Sequence, residues 1–172
     1  RRFIGFEINQ LALDRTSEVI RKNMDVPEDH WTIYEGCGCA MKELENQSEC
    51  IDAVFTSPPY YLKAEPYSRD PRDLCNMKVE EFDQKIDELF MNLSRVIKTS
   101  NFKKREFYPI IITVGTARNG VSGILDMDCS FQNIAKKHFL TLWDKLFAQA
   151  VNPHLVTSIQ RNLSLIHISE PT

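Results

Sequence analysis

The sequence predicts an α/β fold, a largely parallel sheet flanked by helices, and three observations carry that prediction. Short apolar runs of strand length recur over residues 2–9, 31–36, 53–55 and 108–115. Segments with helical periodicity separate them, and that alternation marks βαβ units. The run Ala53 to Phe55 then stops abruptly at Thr56-Ser57-Pro58-Pro59-Tyr60. Proline fixes its own φ, lacks an N–H and keeps the residue before it out of the helical region. Ser57 is thus expected extended at the C-terminal tip of a buried strand, apolar on both faces as central parallel strands are. Strand tips are where open α/β sheets hold ligands.

Composition sets the outer limits. A chain of 172 residues can bury the core of one domain. Its apolar and charged fractions are those of a soluble globular protein, no apolar run spans a membrane, and no secretory leader opens the chain. The net charge of −3 gives no general attraction for nucleic acid, so a DNA contact would need a local patch or another part of the polypeptide. Of the five cysteines, only Cys37 and Cys39 are close, and no second pair completes a zinc pattern. A reduced, cytoplasmic protein is expected.

The ends are unusual. The chain starts at Arg1 without Met and closes on Leu163-Ser164-Leu165-Ile166-His167-Ile168-Ser169-Glu170-Pro171-Thr172. That string resembles the translated read-through of a sequencing-library adapter. Residues 162–172 are therefore expected to be a non-native tail, with His167 in no site, and residues 1–161 the domain proper. The alternative is an ordinary amphipathic tail. Together the ends read as a gene fragment cut on both sides.

In chain order, Arg2 to Asn9 is a strand that delivers Glu7 to its tip. An acid at that place accepts hydrogen bonds from ribose hydroxyls in adenosyl- and dinucleotide-binding folds, although an isolated strand-end Glu is more often simply solvated. A helix follows from about Gln10 to Lys22, with Leu11, Ala12, Val19 and Ile20 as its apolar face. Trp31 to Gly36 is the next strand. Cys37 and Cys39 after it read most simply as small turn residues, and Ala40 to Glu45 as a short helix. Leu62 to Asn76 is a long irregular stretch. Its Lys63, Tyr67, Arg69 and Arg72 could meet phosphate or close over a ligand, or form a merely solvated loop with Glu65, Asp70 and Asp73.

Val79 to Lys98 is the strongest helix. Phe82, Ile86, Leu89, Phe90, Leu93, Val96 and Ile97 recur at three- and four-residue steps. Lys103 to Arg105 form a basic turn before the strand Tyr108 to Gly115. Thr116 to Gly123, Gly-rich and holding Arg118 and Asn119, lies at another strand tip, where it could line the target pocket or, more simply, form a flexible connection. Ser130 to His138 reads as a helix. Phe139 to Ala150 fits either a helical face or a strand, with strand preferred.

The tip at Ser57 offers a hydroxyl, a stiff Pro58 carbonyl and the ring of Tyr60. A planar base with an exocyclic amine suits it, the ring stacking and the amine donating to both oxygens. Thr56-Ser57-Pro58-Pro59-Tyr60 resembles the catalytic motif of the DNA amino-methyltransferases, which methylate cytosine-N4 or adenine-N6 with S-adenosylmethionine. Arg2-Phe3-Ile4-Gly5-Phe6-Glu7-Ile8 resembles the same family's ribose-binding strand. The resemblance covers roughly residues 2–151. It implies a Rossmann-like methyltransferase sheet, truncated, with its first central strand and Gly-rich cofactor turn upstream of Arg1. It implies Ser57, Pro58, Pro59 and Tyr60 as catalytic residues and Glu7, Cys37 and Thr56 on the cofactor side.

Where the family usually has Gly-Asp after its third strand, this chain has Gly36-Cys37-Gly38-Cys39; this departs from the usual adenine contact, which backbone groups or a displaced side chain could replace. The implied partner is double-stranded DNA in a bacterial, archaeal or phage system. The implied reaction is direct methyl transfer to a flipped base. Serine at the first motif position leans toward cytosine-N4. Lacking the central strand, this exact chain is expected to bind the cofactor weakly or not at all. Two other readings remain: a non-catalytic nucleotide-binding α/β module, and a methyltransferase for protein or RNA amines.

Overall fold

A computed structural model describes residues 2–23, 25–59, 68–115, 117–119, 123–125, 127–149 and 160–168. β1 (Phe3–Glu7) is followed by α1 (Gln10–Asn23) and β2 (Trp31–Glu35), and the two strands pair in parallel with Glu7 opposite Glu35. Asn9 starts α1 as an N-cap. Its Oδ1 accepts from the backbone N–H of Leu11 at 3.0 Å and of Ala12 at 3.3 Å. Leu11 is 57% exposed and Val19 lies in solvent as well, so the expected apolar face is corrected. The covered side of α1 holds Ala12, Leu13, Ser17 and Ile20, and the helix lies against β1 and β2. The short helix expected at 40–45 is a single 3-10 turn, Lys42–Leu44.

β3 (Val54–Thr56) leads through the Ser-Pro-Pro segment to a loop, then α2 (Val79–Val96) and β4 (Ile110–Gly115), which pairs with β3 in parallel. Glu81 stabilises the start of α2 by accepting from the Lys78 backbone N–H at 3.2 Å, with Glu80 and Glu81 at the positive end of the helix dipole. Every apolar position that the sequence assigns to the core face of this helix is buried, Ile86 and Phe90 fully. Burying each such side chain contributes roughly 1.5–3 kcal/mol. β4 is a run of β-branched residues whose Ile110, Ile112 and Val114 complete the same core. α3 (Met127–Lys137) adds Phe131, whose ring lies 6.2 Å from Phe82 and 6.0 Å, edge-on, from Phe90.

Three strands lie where the sequence reading places none. Between β4 and α3 a hairpin, β5 (Ala117–Asn119) with β6 (Gly123–Leu125), replaces the expected open connection. After α3 and β7 (Leu140–Gln149) comes β8 (Gln160–Ile168), beyond which the sequence reading places no element. The alternation Leu-Ser-Leu over 163–165 is that of an antiparallel strand, and β8 lies antiparallel between β4 and β7. β7 settles the ambiguous segment as strand, with a bulge at Leu142/Asp144. The sheet therefore comes in two parts, β1-β2 and β3-β4-β8-β7, and no strand among the described residues joins β1 to β3. Phe55 is 71% exposed, so β3 is not covered on both faces as expected.

Candidate functional site at the strand tips

Since β3 and β4 are parallel, α2 returns the chain between them and runs against both. Contacts along α2 locate the strand ends. The backbone N–H groups of Cys50 and Ile51, just before β3, both donate to Val96 O at 2.9 Å, at the C-terminal end of α2. Farther up the helix, Asn92 Nδ2 donates to the carbonyls of Cys39 (2.8 Å) and Ala40 (3.2 Å), just after β2. Nearer the helix N-terminus, Lys85 is close enough to act electrostatically on Cys37. The C-terminal tips of β2 and β3 therefore lie toward the same end, and Glu7, in register with Glu35, lies there too.

At that end Ser57 is exposed, Pro58 buried and Pro59 half-buried. Ser57 Oγ donates to the Thr113 carbonyl of β4 at 3.3 Å, which uses its proton and leaves its lone pairs free to accept. Thr56 is half-buried and ends β3, in register with Ile112. Tyr60 lies outside the described residues, as do Lys63 and Tyr67. Glu7 is half-buried. Its Oε1 accepts from the Asn9 N–H at 2.8 Å, which holds the carboxylate at the strand tip with its other oxygen unused by that contact.

The loop after the Ser-Pro-Pro segment is built around Asp73, which the sequence reading set among the charges of a solvated loop and which is buried instead. Asp73, 1% exposed, accepts from Ser68 N–H (2.8 Å), Ser68 Oγ (3.1 Å) and Cys75 N–H (3.0 Å). The signal was present: an Asp directly before Leu74-Cys75-Asn76 is the N-cap of the 3-10 turn that forms there. Arg72 pairs with Asp70 at 2.6 Å, and this guanidinium holds the Asp70 carboxyl down to about 2. Arg72 also feels Glu35 and Cys37, which places this β3 loop beside the β2 tip. Between the loop and α2 lies a cavity of about 810 Å³, walled by Arg69, Asn76, Glu81, Gln84, Lys85 and Glu88. Its walls include neither Glu7 nor Ser57. It adjoins the strand tips rather than coinciding with them.

No protein-family profile and no curated protein matches the sequence. Solved structures do. A SAM-dependent methyltransferase from Methanosarcina mazei aligns with TM-score 0.60 and 8% identity, over 97% of this chain and 82% of that one. A Thermus thermophilus protein provisionally described as a DNA modification methylase aligns with TM-score 0.51 and 15% identity, over 80% of this chain and 55% of that one. The cyclase SpnF matches with TM-score 0.60 and 9% identity, over 99% of this chain and 68% of that one. The chain has the Rossmann-like fold of the SAM-dependent methyltransferases. It spans about half the length of the Thermus protein. Because a cyclase shares the fold equally well, the chemistry has to be argued from the site.

Proposed function

We propose that this chain carries the catalytic strand tips of an S-adenosylmethionine-dependent DNA methyltransferase that methylates the exocyclic amine of a flipped base, cytosine-N4 in preference to adenine-N6. The observation that carries the reading is Ser57-Pro58-Pro59 at the tip of β3, at the same end of the sheet as Glu7. The residues fit the cofactor at its ribose, because Glu7 presents a fixed, half-buried carboxylate able to accept from two hydroxyls. Toward the adenine, Cys37 and the backbone of its turn stand where the resemblance places the usual acid. Thr56 backs the cofactor side of β3. When bound, the cofactor supplies an electrophilic methyl group on a sulfonium.

The chain's own residues act on the base. An exocyclic amine is a poor nucleophile because its lone pair is delocalised into the ring. Ser57 Oγ and the Pro58 carbonyl accept its two N–H bonds, favour a pyramidal nitrogen and stabilise the positive charge that develops there. The Ser57–Thr113 contact orients the hydroxyl so that a lone pair, not the proton, faces the amine. Tyr60 stacks on the extruded base, a contact of the kind worth about 1–3 kcal/mol. The two prolines keep these acceptors from relaxing, so orientation is set before the substrate arrives.

The experiment is product identification. The chain, expressed with the coding sequence that flanks it, is incubated with double-stranded DNA and methyl-labelled cofactor, and the DNA is digested to nucleosides for mass spectrometry. Label in N4-methylcytosine is the expected result. Label in N6-methyladenine alone would overturn the base preference. Label in protein or small amines and none in DNA would overturn the reading.

A further inference from the structure

The turn after β2 holds a pair of thiols that direct methyl transfer does not use as nucleophiles. Cys37 and Cys39 flank Gly38 in one turn, and each thiol acts on the ionisation of the other. Cys37 is half-buried and reachable, whereas Cys39 is 5% exposed. The turn is fixed by the Ala40 and Met41 N–H groups, which donate to the Cys37 carbonyl at 3.1 and 3.3 Å, and by the Asn92 side chain on the carbonyls of Cys39 and Ala40. Two residues apart, the Cα atoms of Cys37 and Cys39 lie within about 7 Å of each other, and the bend shortens this toward the range a disulfide spans. Among the described residues no third His, Cys, Asp or Glu joins them in a metal-holding group.

The surroundings favour a thiolate on Cys37. The Cys39 S–H, the backbone N–H groups of Cys39 and Ala40, and Lys85 of α2 together bring its thiol down to about 6, while burial opposes them. The other charges facing the pair are Glu88 of α2 and Arg72 of the neighbouring loop. Cys39 is shifted the opposite way, because its proton is held by the Cys37 sulfur. One thiol is therefore poised to attack and the other waits.

We propose that Cys37 and Cys39 form a reversible thiol–disulfide site at the tip of β2, which reacts with small-molecule disulfides. The Cys37 thiolate attacks one sulfur of the small disulfide, forms a mixed disulfide and expels the other half as a thiolate. That step removes the negative charge and the acceptor that held the Cys39 proton. Cys39 then loses its proton to solvent and attacks the Cys37 sulfur, closing Cys37–Cys39 and releasing the second half. The two cysteines give up two electrons, one small disulfide becomes two thiols, and the protons reach these through solvent. A ring this small is strained and returns easily to the dithiol, as labile disulfides do.

The test treats the whole chain with oxidised glutathione, blocks the remaining thiols, and maps the peptides by mass. The Cys37–Cys39 peptide should lose two hydrogens and take no label, while the exposed Cys50 stays labelled; reduced glutathione should reverse the change. Cys39→Ala should stop at a glutathione adduct on Cys37. In the untreated wild type, alkylation of Cys37 at pH 6 should run about tenfold faster than for an unperturbed cysteine. A larger thiolate fraction more than offsets the lower nucleophilicity of the more acidic thiol. Modification of Cys50 in preference to Cys37, or a Cys37–Cys39 peptide that keeps both hydrogens, would overturn the proposal. None of these readouts depends on methyl transfer.

Discussion

At the scale of single residues, the candidate site rests on groups whose partners are already fixed. Ser57 is tied to Thr113, Glu7 to Asn9, and Arg72 to Asp70. Asp73 does the most for its neighbourhood, since one buried carboxylate closes the loop from Ser68 to Cys75. Removing it leaves buried donors without an acceptor, at roughly 1–3 kcal/mol for each group left unsatisfied. Asp73→Ala should lower the denaturant midpoint by an amount equivalent to at least about 2 kcal/mol. Asp70→Ala, on a solvent-screened pair, should leave it almost unchanged. Equal midpoints for the two variants would remove Asp73 from its organising role.

At the scale of elements, α2 holds the two parts of the sheet in relation to each other. Its buried face packs on β4 and α3, while Asn92 and Arg95 reach across to the segment between β2 and β3. Ile86→Ala should cost about 2–5 kcal/mol by leaving a cavity in a fully buried site. Leu11→Ala on α1, mostly in solvent, should stay within about 0.5 kcal/mol. Thermal or chemical unfolding of both variants checks this contrast, and a large loss at Leu11 would mean that α1 packs on something more than β1 and β2. The same contrast shows what could be read without coordinates. The periodicity of α2 named its buried face correctly because one broad core decides every position. The pattern of α1 named Leu11 and Val19 wrongly because amphipathicity reports which face is apolar, not how much partner surface there is to cover it. β3 was misjudged for a related reason. A run of apolar letters cannot reveal that one edge of its sheet is unpaired and that Phe55 faces outward. The coupling of Cys37 to Cys39 was equally invisible, since two cysteines around a glycine read the same however the turn arranges them.

For the whole molecule, the topology explains why the tips of β1, β2 and β3 share one end. Both parallel pairs are joined through a helix that returns the chain, and the contacts of α2 align the pairs with each other. The fold itself is common to methyltransferases and to a cyclase, so it does not select a reaction. In the proposed function the selection falls to the few groups at that end: a carboxylate on one tip and a proline-stiffened pair of acceptors on another. Their separate duties predict separate defects. The most direct measurement is therefore a two-variant comparison in the chain expressed with its flanking coding sequence, reading S-adenosylmethionine affinity and DNA methylation side by side. Ser57→Ala should cut the methylation rate about 10²–10³-fold with affinity unchanged, as loss of one transition-state contact does, and Glu7→Ala should weaken the affinity itself. Full methylation by Ser57→Ala, or affinity that follows Ser57 and ignores Glu7, would contradict the account.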